Sequence, residues 1–172
     1  MILKNYISAV FWFLVVIVAS GFLHELGHMM FVLASGGRIT SLAFSFDPTR
    51  FGIVMSHQSS TLADAVNGYF GGSFAAAVML LLYTGMRGRF VRKSHWQTAA
   101  LGMAWFAAIG LNLSLAVAEG TFRQLYLGSA LFDNAAGALG MLSGIVAYCR
   151  YVFVPSKSFK PRNALARMMF GR

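Results

Sequence analysis

The sequence predicts an all-α polytopic membrane protein, with about four transmembrane helices and a short membrane-associated β-hairpin after the first. Three observations lead there. Of 172 residues, 58% are hydrophobic and 11% charged, and mean hydropathy is +0.65, the balance of a chain solvated by lipid rather than water. Apolar runs long enough to cross a bilayer recur along the chain, parted by short polar or glycine-rich stretches. The 14 Lys and Arg outnumber the five Asp and Glu, for a net charge of +9, and they gather in short connections and the tail. The positive-inside rule expects that distribution, so the charge points to a bilayer surface and not to nucleic acid. A chain of this length holds one membrane domain, 1–172.

The first helix is expected over about 5–34, an apolar run with one Lys before it. Its core spans roughly 42 Å at 1.5 Å per residue, enough to cross with tilt. No convincing small-residue cleavage site precedes the middle of the run, so it reads as a retained helix rather than a leader. Ser35-Gly36-Gly37 ends it. Residues 38–58 read as a hairpin: Ile39, Leu42, Phe44 and Phe46 lead to Asp47-Pro48-Thr49-Arg50, a turn signal, and Phe51, Ile53 and Met55 alternate after it. The second helix, 62–84, opens on Asp64 and carries Gly68-Tyr69-Phe70-Gly71-Gly72 and Ala75-Ala76-Ala77, small residues that allow close packing. Arg87, Arg89, Arg92 and Lys93 form a basic loop at the opposite end, with His95 and Trp96 at the boundary. The third helix is expected over 96–118, a loop over 119–128, and the fourth helix over 131–154, stopped by Pro155. The basic tail, 155–172, suits the headgroup region. Lone Cys149 makes no disulfide within the chain.

The chemistry concentrates in His24-Glu25-Leu26-Gly27-His28, inside the first helix. A helix turns about 100° per residue, so His24 and His28 share one face and their imidazoles can hold one metal ion. Glu25 can reach a water on that metal as general base. Three ionisable groups in a lipid-embedded segment need partners, and a metal site supplies them. Tetrahedral catalytic zinc takes three protein ligands and an open position. The remaining acids are Asp47, Asp64, Glu119 and Asp133, all toward the end of the molecule where the first helix finishes. Asp47 suits a turn and Asp64 a helix start. Glu119 closes the third helix and Asp133 begins the fourth, so each is a candidate third ligand.

A HExxH motif within a transmembrane helix resembles the site-2 proteases, zinc metalloproteases that cut peptide bonds within the bilayer. The resemblance rests on His24, Glu25 and His28, and Gly68-Tyr69 is similar to the short branch lacking a PDZ domain. It implies zinc as cofactor, Glu25 as catalytic base, and a transmembrane protein as substrate. The family's third ligand is an Asp following Asn-x-x-Pro. The nearest stretch here, from Asn112 to Glu119-Gly120, lacks the Pro and has Glu for Asp. The short branch looks similar around Phe132-Asp133-Asn134, which makes Asp133 the expected ligand and Glu119 the runner-up. Asn112 is a candidate oxyanion donor or an interhelical hydrogen-bonding group.

The reading that follows is a metalloendopeptidase of the plasma (inner) membrane. The alternatives are a non-catalytic zinc-binding scaffold and, last, a metal transporter, which would need further ionisable residues along a path toward the basic end. The Lys and Arg count places that end, and both termini, in the cytoplasm. The family resemblance implies the reverse, with zinc nearer the cytosol; the count from the chain's own loops is preferred.

Overall fold

The computed structural model describes residues 2–45, 52–92 and 96–153. The elements are α1 (Ile2–Ala34), β1 (Arg38–Ser45), β2 (Gly52–Gln58), α2 (Thr61–Arg92), α3 (Trp96–Thr121), α4 (Arg123–Gly128) and α5 (Ala130–Phe153). Apolar spans of 28, 26, 23 and 21 residues in α1, α2, α3 and α5 each exceed the roughly 20 residues a bilayer core requires. Among the described residues, four helices are thus long and apolar enough to cross a membrane, with a hairpin after the first, as the sequence predicts.

Local chemistry sets the joints. At the end of α1, Gly36 takes φ +78°, its N–H donates to Leu33 O at 3.2 Å, and the Gly37 N–H donates to Val32 O at 2.8 Å. That is the glycine-closed helix end in which two otherwise orphaned carbonyls are satisfied. The chain then turns directly into β1, which pairs antiparallel with β2 from Arg38↔Gln58 to Ser45↔Gly52. Ser60 caps α2, its Oγ accepting the Ala63 N–H at 3.3 Å, and Ser129 does the same for Phe132 at the start of α5.

Helix α3 is the axis of the bundle: α1, α2, α4 and α5 all pack on it. Glycines make the α3–α5 crossing close. A Cβ on Gly140 would meet Ser114 Cβ at 2.6 Å, and one on Gly144 would meet Ala107 Cα at 3.1 Å. Close backbone approach of this kind drives helix association in lipid, where burying apolar side chains gains little. A small core of Val16, Met79, Ala104 and Ala108 joins α1, α2 and α3, and the Trp105 indole donates to Met79 O at 2.6 Å. α1 and α5 lie on α3 without substantial packing against each other, and the space between them is open.

Two expected boundaries differ. The second helix runs to Arg92, through the basic segment read as a loop, because no proline interrupts it and a helix need not stop at the membrane surface. The third helix continues past Ala118 to Thr121, and the expected loop 119–128 largely forms α4. Gly120, expected in the loop, instead sits inside α3 against the Tyr69 ring, where a Cβ would not fit. The hairpin turn, His95 and the tail from 154 onward lie outside the described residues.

Candidate metal centre

One stripe of α1 is buried: Val16, Ser20, His24, His28 and Val32, spaced by four. This stripe faces α2 and α3, while residues such as Phe22, Leu26 and Met30 face outward. Two imidazoles are thereby carried into the helix junction, ring centroids 4.8 Å apart. On α3, Asn112, Ala116 and Glu119 follow at helical i, i+4, i+7 spacing and are all buried, a face turned to the same junction.

The acceptors converge there. His24 Nε2 lies 3.1 Å from Glu119 Oε1, and His28 Nε2 lies 2.9 Å from Glu119 Oε2. Ligand atoms of all three residues fall within 4.8 Å of one another. The other ring nitrogens are held by amides. His24 Nδ1–H donates to Asn112 Oδ1 at 2.9 Å, and His28 Nδ1–H to Asn67 Oδ1 at 3.2 Å. Asn112 fixes its own orientation, because its Nδ2 donates to Ala108 O at 2.8 Å and leaves Oδ1 toward His24. An Nδ1–H tautomer puts a lone pair on each Nε2, facing a carboxylate oxygen that is also an acceptor. Each such pair is bridged either by a proton on Nε2 or by a metal cation. Two imidazoles and a carboxylate, with the imidazoles oriented by outer hydrogen bonds, form a set able to hold a metal ion.

Close packing of α2 makes room for the set. A Cβ on Gly71 would fall on the His28 ring, and one on Gly68 would meet Glu119 O at 2.7 Å. Tyr126, from α4, lies by the Glu119 carboxylate. Burial, reinforced by the charges of Glu119 and Asp133, pushes the Tyr126 phenol above its ordinary value and keeps it a hydrogen-bond donor.

The sequence-predicted residues separate as follows. His24 and His28 come together as expected. Glu119, the runner-up, completes the donor set, whereas Asp133 lines the α5 wall of the adjoining cleft and is not part of the set. The extra turn of α3 is the reason: it keeps Glu119 in helical phase with Asn112. Glu25 lines the same cleft, within electrostatic range of His24, His28 and Glu119. Asn112 holds His24 and its own helix, which makes it an interhelical hydrogen-bonding group with both amide atoms engaged. Asn67 and Tyr126 went unnoticed in the sequence. Asn67 lies four before Gly71 on the buried stripe of α2, a phase visible in the sequence; Tyr126 gave no signal.

The cleft measures about 510 Å³ and is walled by α1, α3, α5 and the hairpin. Compared with known protein families, with curated proteins and with solved structures, the chain matches none.

Proposed function

We propose that the protein is an intramembrane zinc metallopeptidase of the site-2 protease type, hydrolysing a peptide bond in a transmembrane substrate. One observation carries the reading: Glu25 stands in an open cleft beside a buried set of two imidazoles and a carboxylate. The donor chemistry of His24, His28 and Glu119 suits zinc. Bound there, zinc would supply Lewis-acid polarisation of a scissile carbonyl and acidify a water.

The chain's own residues account for the rest. Glu25 takes the proton of the attacking water and passes it to the leaving amine, the task of a carboxylate placed beside the ligands but outside them. Asn112 and Asn67 keep the imidazoles pointed inward. The cleft between α1 and α5 accommodates an extended segment, so a substrate helix unwinds locally to expose its carbonyl. A scaffold that only binds metal would have no use for Glu25 at this position.

The test is cleavage of a panel of quenched fluorescent transmembrane peptides by protein in liposomes, with zinc measured in parallel. Glu25→Gln should retain zinc and lose at least about 100-fold in rate, since an amide cannot accept the proton. A wild-type protein that holds zinc but cleaves nothing would identify the scaffold instead.

A further inference from the structure

Beyond the metal donors and Glu25, the cleft has another polar group. His57, on β2, lines it, within electrostatic range of Glu25. The imidazole does not stand alone. His57 Nε2 lies 2.8 Å from Asp64 Oδ1 on α2, and Asp64 Oδ2 lies 2.6 Å from Arg123 Nη2 on α4. Arg123 Nη1 donates to the Asp64 carbonyl at 3.2 Å, so the guanidinium grips both side chain and backbone of one residue. Three elements thus converge to fix one ring.

The hairpin aims that ring. Strand residues alternate between faces, and over 54–58 Met55 and His57 are the less exposed while Val54, Ser56 and Gln58 are exposed. The register shifts at this point: Ile39 pairs with His57 and Ser41 with Ser56, leaving Thr40 as an extra residue opposite them. A bulge of this kind adds local twist and re-aims neighbouring side chains.

We propose that His57 is a further catalytic residue, donating a hydrogen bond to the oxyanion that forms when water adds to the scissile carbonyl. This rests on the peptidase reading above. Water oxygen bonds to the carbonyl carbon, the C=O π pair moves to the carbonyl oxygen, Glu25 accepts the proton, and His57 holds the new anion through its Nδ1–H without transferring that proton. In this role both ring nitrogens donate, Nε2–H to the Asp64 carboxylate and Nδ1–H to the anion. Arg123 is a positioning residue for Asp64. A donor opposite the metal would share the anion's charge with it, and Asn112 is engaged elsewhere.

The experiment measures kcat, KM, zinc content and affinity for a phosphinate peptide, whose tetrahedral anion mimics the reacting centre, in wild type, His57→Ala, Asp64→Asn and Arg123→Lys. His57→Ala should keep its zinc and its KM within about twofold while kcat falls about 100-fold, the scale of losing one oxyanion donor. Phosphinate affinity should fall in parallel. Asp64→Asn, which preserves shape, should lower kcat at least about tenfold, and Arg123→Lys should retain most of it. Wild-type kcat in His57→Ala, with Glu25→Gln inactive, would overturn the role of His57 and leave the peptidase reading intact. Loss of zinc in proportion to kcat would overturn it too, by making His57 a support of the metal centre. A wild-type protein that cleaves no peptide overturns both.

Discussion

Asn112 shows how a single buried amide decides the chemistry of its neighbour. Its Nδ2 is committed to Ala108 O, so its Oδ1 accepts from His24 Nδ1–H, and Nε2 is left to face Glu119. Asn112→Ala leaves the buried Nδ1–H without a partner. An unsatisfied buried donor costs about 1–3 kcal/mol, and outer-sphere losses at metal sites lower affinity about 10- to 100-fold. Chelator competition should report a drop in that range for Asn112→Ala. The drop should be smaller for Asn67→Ala, whose hydrogen bond to His28 is longer at 3.2 Å. Equal affinity in all three proteins would mean that the amides do not orient the ligands. The motif residues were readable because their spacing alone puts them on one face. Asn67 and Tyr126 were not, since their tasks exist only once α2 and α4 lie against α1 and α3.

At the scale of elements, glycines decide where helices end and how near they come. Gly36, with its positive φ, ends α1 as the sequence suggests. Gly120 does not end α3, because its missing Cβ makes space for Tyr69 instead. Asp133 is the expected ligand by resemblance alone, whereas the helical phase that α3 keeps through Thr121 carries Glu119 to the imidazoles. The apolar runs, the Ser-Gly-Gly break and the alternation around the hairpin were legible because each is a local pattern. Gly71 offers a direct check. Gly71→Ala places a methyl on the His28 ring, and overpacking of this kind costs about 1–3 kcal/mol. Thermal unfolding and zinc titration should both register the loss. Gly85→Ala, with nothing within 4 Å of its added Cβ, should be neutral in both. A neutral Gly71→Ala would contradict the close α1–α2 approach.

At the scale of the whole molecule, α1 and α5 lean on α3 from separate sides, and the buried donor set opens into the cleft between them. We propose that the cleft end faces away from the cytoplasm. From the sequence, Lys4, Arg87, Arg89, Arg92, Lys93 and the tail are expected toward the opposite end, and Lys and Arg counts orient spans. Single cysteines at Ser94 and Ser158, in a Cys149→Ala background, should resist an impermeant thiol reagent on intact cells. Labelling of both, with Ser59→Cys protected, would reverse the orientation. The central claim is that His24, His28 and Glu119 hold the metal, and bound zinc per chain measures it most directly. Purified wild type should carry about one zinc, Glu119→Ala should lose it, and Asp133→Ala should keep it. Zinc retained in Glu119→Ala and lost in Asp133→Ala would contradict the account.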